Sequence, residues 1–223
     1  MTGSVFLGGG GSECDEALLW NELFESGQRI LYLPFALPAS EYGRGRSWLR
    51  DSLAPRGRFD LEMWTSAAGR AAPDLESYDV VFVGGGNTFD LVDHLRRHNF
   101  MSPLREYVAT GGRLYGGSAG AVLLGADIAI AESADPNDAG VTNTAGLDLI
   151  AGLVVRPHYT EDLDPELNLR AATTGETILA IPERGGVVVT GDIARCVGPE
   201  DVTVIGAGCR TPHPAGRSWR LLA

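Results

Sequence analysis

The sequence contains no lysine; all 18 of its basic residues are arginine. This absence removes three chemistries at once: the phosphate-gripping lysine of a P-loop, the Schiff-base lysine and the serine–lysine dyad. An anion held here by side-chain charge must be held by arginine or histidine. Cysteine is scarce too. Cys14, Cys196 and Cys209 are odd in number and show no CxxC spacing, so neither a disulfide framework nor a zinc ribbon is expected. Long apolar runs are missing. MTGSVFLGGGGSE opens with only three consecutive apolar residues, which does not read as a secretory leader. No stretch approaches the roughly 18 apolar residues of a membrane span. Net positive charge is missing as well. A formal charge of −11 and a pI of about 4.8 argue against nucleic acid or an anionic membrane as partner, because phosphate backbones need a basic footprint. A cytoplasmic, soluble protein is expected.

What is abundant is glycine, 30 residues of it, much in short clusters at 8–11, 84–86, 111–112 and 116–117. Clustered glycine marks backbone that turns sharply or approaches another group closely. The 223 residues fit one domain, 1–223. Short apolar strands are expected at Ser4–Leu7, Arg29–Phe35, Phe59–Trp64, Asp79–Val83 and Arg113–Tyr115. Helical periodicity covers Cys14–Ser26, Glu41–Leu53, Thr88–His98, Pro103–Thr110 and Ala119–Leu124. That alternation is the βαβ rhythm of an α/β protein, a mostly parallel sheet between helical layers. The last third changes character. Leu153–Arg156, Leu179–Ile181, Gly186–Thr190, Ala194–Val197, Val202–Ile205 and Trp219–Leu222 read as short strands, several joined by tight loops, and suggest a small antiparallel extension near the C-terminus.

Gly116-Gly117-Ser118-Ala119-Gly120 fits G-x-S-x-G and lies between an expected strand and an expected helix, the context in which a nucleophilic serine is held on a strained turn. The Ala119 N–H would then face a developing oxyanion. The same residues also suit a plain serine N-cap on a tight turn. Gly84-Gly85-Gly86-Asn87-Thr88 is a second glycine turn at a strand end. There the Gly86 N–H offers a second oxyanion donor, and Asn87 or Thr88 a helix cap. Four histidines are candidates for a base. His94 and His98, spaced i, i+4 beside Arg96 and Arg97, read as a solvated helix face rather than a metal site. His213 lies in a proline-rich tail and reads as surface. His158 ends the apolar strand before it, on the edge where the serine turn is expected. Glu183 follows the strand-like LAIP and is a candidate to orient the imidazole; Asp135 and Asp162 compete with it. The order Ser118, His158, Glu183 disfavours the α/β-hydrolase fold, whose acid precedes its histidine. Gly8-Gly9-Gly10-Gly11-Ser12 invites a dinucleotide reading, but the third glycine of that fingerprint is absent and Glu13 stands where a phosphate would sit.

Taken together, LPFA at 33–36, VFVGGGNTFDL at 81–91, GGSAGAVL at 116–123, RPHY at 156–159 and IPE at 181–183 resemble the peptidase E (α-aspartyl dipeptidase) family. The resemblance implies the three-layer class I glutamine amidotransferase-like (flavodoxin-like) fold. It implies Ser118 as nucleophile, His158 as base, Glu183 as its orienting acid, and the Gly86 and Ala119 N–H groups as oxyanion donors. It also implies hydrolysis of dipeptides with an N-terminal aspartate, without metal or cofactor; the alternatives are the same triad with another specificity, as a broader aminopeptidase, a cyanophycinase-like hydrolase or an esterase, or a non-enzymatic binding module. A small peptide is the expected partner of a monomer or homodimer. Asn87 and Arg170 are the substrate-binding candidates, Arg170 because the family carries a substrate-contacting arginine after its histidine. Two departures bear on substrate choice: the segment from His158 to Arg170 is acidic and shorter, and the one between Ser118 and His158 is longer, with ESADPNDAG at 132–140.

Overall fold

The computed structural model describes residues 3–221. Met1 and Thr2, at the start of the N-terminal run, and Leu222, at the end of the last expected strand, lie outside them. In chain order the elements are β1 (Ser4–Gly8), α1 (Ala17–Leu23), β2 (Arg29–Leu33), α2 (Tyr42–Leu53), β3 (Asp60–Met63), α3 (Ala72–Leu75), β4 (Val80–Val83), α4 (Thr88–Arg97), α5 (Met101–Ala109), β5 (Arg113–Gly117) and α6 (Ala119–Leu124). They continue with β6 (Val154–Arg156), α7 (Asp164–Thr174), β7 (Ile178–Ala180), β8 (Gly186–Thr190), β9 (Ile193–Cys196), β10 (Val202–Gly206), β11 (Cys209–His213) and β12 (Ser218–Arg220). No helix of the described residues is long and apolar enough to cross a membrane.

The main sheet has eight strands in the order β12-β9-β8-β1-β5-β4-β2-β3. β1, β5, β4, β2 and β3 run parallel, and β8, β9 and β12 continue the sheet antiparallel from the β1 edge. The parallel strands are buried on both faces because alternate residues enter different helical layers. Phe6, Ile30, Tyr32, Val80, Phe82 and Tyr115 pack with Trp20, Leu23, Leu49 and Leu53 from α1 and α2. Val5, Leu7, Leu31, Leu33, Val81, Val83 and Leu114 face the other way, towards α4, α5 and α6. The register sets Gly8 beside Gly117 and Val83 beside Gly116, so the glycine turns after β1, β4 and β5 emerge side by side.

The last third corrects the expectation of a single antiparallel extension. Only β8, β9 and β12 extend the main sheet; β11-β10-β7-β6 form a second one. Short apolar runs show that a strand forms but not which edge it pairs with. Within the second sheet β6 and β7 are parallel, with Arg156 opposite Ala180, so the segments following both strands leave at the same end. β11 was absent from the sequence reading because CRTPH is exposed, carries a proline and shows no apolar alternation. Helix α7 was invisible for a similar reason: only Leu167 and Ala171 of its residues are buried.

Candidate active site

Ser118 joins β5 to α6 at φ 52° and ψ −116°. A non-glycine residue there costs about 1–3 kcal/mol and persists only where its surroundings fix it. Packing fixes it here. A Cβ on Gly116 would lie 2.4 Å from the Gly120 carbonyl oxygen, and one on Gly120 would lie 2.5 Å from that of Val83. The small residues therefore let α6 start against the sheet. Ser118 occupies the N-cap position yet makes no capping hydrogen bond. Its Oγ lies 2.9 Å from His158 Nε2 instead. The second glycine turn closes on it, since a Cβ on Gly85 would lie 3.1 Å from Ser118 Cβ. Gly86, at φ 135°, is held so tightly that a Cβ would fall 2.1 Å from the Ala36 carbonyl oxygen. Ala119, buried, opens α6 directly after the serine.

The second sheet supplies the other two groups. His158 follows β6 and Glu183 follows β7, and His158 Nδ1 lies 2.9 Å from Glu183 Oε1. Neither competing acid reaches the imidazole: Asp135 Oδ2 accepts from the Thr88 N–H at 2.8 Å, and Asp162 sits in the turn Glu161–Leu163. His158 itself has a positive φ of 52°. The Gly8–Gly11 turn clamps it. Gly9 accepts the His158 N–H at 2.8 Å and donates its own N–H to Gly185 at 3.3 Å. A Cβ on Gly9 would lie 1.7 Å from the Pro182 carbonyl oxygen, one on Gly10 2.4 Å from His158 Nε2, and one on Gly11 2.4 Å from the Glu183 carbonyl oxygen. These glycines are therefore a seat for the histidine and the glutamate, not an open phosphate loop.

Beneath the turn lies Glu16, 3 % exposed, which the sequence reading did not single out. Its Oε1 accepts the Gly10 N–H at 2.9 Å, and its Oε2 accepts Trp20 Nε1–H at 3.1 Å and the Tyr115 hydroxyl at 2.5 Å. Burial pushes the Glu16 carboxyl above its ordinary range, against the pull of those three donors. Burial and the neighbouring Glu16 likewise push the Tyr115 phenol upward. The signal for Glu16 was present in an acid four residues before Trp20 on an otherwise apolar helix start.

Ser118 borders two cavities. One, of about 190 Å³, is lined by Thr88, Ala119, Asp135, Arg156 and His158. The other, of about 390 Å³, is lined by Trp20, Tyr32, Trp48, Phe82 and Tyr115. The two substrate candidates taken from the sequence stand elsewhere or are occupied. Arg170, on α7, lines neither cavity; it forks onto Glu176 at 2.6 and 3.0 Å. The arginine that lines the smaller cavity with Ser118 is Arg156. Its Nη1 contacts Ser133 Oγ at 3.1 Å, and its Nε is buried without a partner. Asn87 Oδ1 accepts from the Phe89 and Asp90 N–H groups, and Nδ2 donates one of its two N–H groups to the Pro136 carbonyl at 2.8 Å. It caps α4 and ties down the 132–140 segment. His94 corrects the expectation of a solvated face. It stacks on Phe35 with ring centroids 4.0 Å apart, and its Nε2 accepts the Ala67 N–H at 3.2 Å. His213 stacks on Trp219 at 3.9 Å.

A three-layer α/β fold, with a strained serine at the carboxyl edge of its parallel strands and a histidine against the hydroxyl, defines the chain as a serine peptidase. It belongs to peptidase family S51, whose family model matches residues 5–197. A Drosophila melanogaster protein named "Probable alpha-aspartyl dipeptidase" is 29% identical over 203 residues, 83% of this chain and 80% of the relative. Escherichia coli Peptidase E is 29% identical over 147 residues, 60% of this chain and 62% of that protein, so the match spans about three fifths of the bacterial relative. The crystal structure of a peptidase from an acI-B1 Actinobacterium shares the fold, with a TM-score of 0.77 and 21% identity over 99% of this chain and 97% of that one.

Proposed function

We propose that the chain is an exopeptidase that hydrolyses dipeptides with an N-terminal aspartate through Ser118, His158 and Glu183. The observation that carries the proposal is the pair of 2.9 Å contacts that link Ser118 Oγ through the His158 imidazole to Glu183. In this reading Ser118 Oγ attacks the scissile carbonyl carbon while His158 Nε2 takes its proton. Glu183 holds the Nδ1–H and with it the required tautomer. The carbonyl oxygen, now anionic, is met by the Gly86 and Ala119 N–H groups. His158 returns the proton to the leaving amine, an aspartyl ester forms on Ser118, and water activated by the same imidazole releases aspartate.

Aspartate selectivity requires a cation at the substrate side chain. In this reading Arg156 takes the role expected of Arg170, because it lines the smaller cavity while Arg170 is paired with Glu176. A guanidinium suits a carboxylate through paired, charge-assisted hydrogen bonds. Asp135, across the same cavity, is placed to meet the substrate ammonium. The name of the Drosophila melanogaster relative agrees with this substrate class. Arg156→Met is expected to lower kcat/KM for Asp-Leu by roughly 10- to 100-fold, the worth of a charge-assisted hydrogen bond. Ala-Leu turnover should change far less. Comparable wild-type rates on Asp-Leu and Ala-Leu would remove the aspartate assignment and leave a broader aminopeptidase.

A further inference from the structure

We propose that the 390 Å³ cavity on the second flank of Ser118 is the subsite for the residue after the scissile bond, and that it selects a bulky uncharged side chain, aromatic or large aliphatic. The proposal rests on the reading of Ser118 as the attacking residue and of the smaller cavity as the seat of the aspartyl group. The two cavities share Ser118, so a peptide whose carbonyl meets Oγ has one residue in each.

The wall is built to stay open. Tyr32, Phe82 and Tyr115 come from three adjacent strands, Trp20 from α1 and Trp48 from α2, and the rings brace one another. Phe82 stacks on Tyr115 at 4.3 Å, and Trp20 meets Phe82 and Trp48 edge-on at 5.7 and 5.8 Å. Glycines keep side chains out of the space between them. A Cβ on Gly84 would lie 3.1 Å from the Tyr32 ring, one on Gly45 2.7 Å from the Tyr32 hydroxyl, and one on Gly117 2.5 Å from the Tyr115 hydroxyl. A rigid, preformed apolar wall binds an apolar side chain without an ordering cost.

The charge in the cavity is already spent. Three donors, from Gly10, Trp20 and Tyr115, saturate the carboxylate of Glu16, and burial disfavours its ionised form. At the rim Arg44 pairs with Glu41. A cationic side chain would therefore find aromatic faces but no free counter-charge, so the side chain selected is uncharged.

The test is a panel of Asp-Phe, Asp-Leu, Asp-Gly and Asp-Arg, read as free amino acid released, on the wild-type chain and on two variants that each fill the space from the wall where Leu37 and Gly45 adjoin, Leu37→Trp and Gly45→Leu. For the wild type, kcat/KM for Asp-Phe and Asp-Leu should exceed that for Asp-Gly and Asp-Arg by about tenfold or more, the transfer worth of one buried side chain. In each variant the ratio of Asp-Phe to Asp-Gly should collapse by a similar factor, chiefly through KM. Equal wild-type rates on Asp-Gly and Asp-Phe overturn the proposal, as does a preference for Asp-Arg. Fluorophosphonate labelling of wild-type Ser118 separates the two levels. Labelling with no selection among the peptides overturns the subsite alone; absence of both labelling and turnover overturns the serine reading, and the subsite with it.

Discussion

Ser118→Ala is expected to abolish release of leucine from Asp-Leu, with kcat falling by at least about 10⁴-fold, in line with what removal of a nucleophilic serine costs when its partners remain. The fold should not notice. Ser118 makes no capping bond, so alanine orphans no backbone group. The histidine that loses its partner is 45% exposed at its side chain and turns to water instead. The melting temperature should therefore stay within a few degrees of wild type, as expected of a change outside the core. Circular dichroism melting and chromatographic detection of leucine check the two halves together. Retained turnover in a well-folded Ser118→Ala chain would sink the acyl-enzyme mechanism outright, because no second hydroxyl in either cavity is held against His158. Thr88, the other hydroxyl side chain in the smaller cavity, belongs to the first turn of α4.

The sequence was legible where chemistry and periodicity act locally. G-x-S-x-G between a strand and a helix foretold a strained turn at Ser118, and short apolar runs foretold β1, β4 and β5 to within a residue or two. His158 and Glu183 were legible as strand-end residues, and β6 and β7 do deliver them side by side. What the sequence hid is what depends on pairing between distant segments. Gly8–Gly11 read as a weak phosphate loop because nothing local shows that Pro182, His158 and Glu183 fold down onto it. Arg170 and Arg156 are both arginines near His158. Only the fold shows that Glu176 occupies the first while the second lines a cavity with Ser118. Asn87 had two readings, cap and substrate contact; the fold shows the cap, with Oδ1 on the α4 N-terminus and one Nδ2–H on Pro136.

Gly10→Ala is expected to lower kcat by about 10²–10³-fold, although Gly10 is none of the three residues that carry the proton transfer. Two costs attach to the substitution, and a second glycine separates them. Gly10 sits at φ 92°, where alanine is strained by about 1 kcal/mol. Gly27, at φ 97°, imposes the same backbone strain but has nothing within 4 Å of where a Cβ would stand. At Gly10 the new methyl would lie 2.4 Å from His158 Nε2 and 2.5 Å from its Cε1. Backbone cannot relieve that clash, because the Gly10 N–H is held by buried Glu16 and the Gly9 carbonyl holds the His158 N–H. The imidazole ring must move instead, and the atom it moves is the one that faces Ser118 Oγ. A displacement of about 1 Å at a proton-transfer contact is worth about 10²-fold in rate. Gly27→Ala should lose stability by a similar amount and keep its turnover. Equal turnover in the two variants would mean that the glycine turn is only a tight loop, and that His158 takes its position from β6 and Glu183 alone.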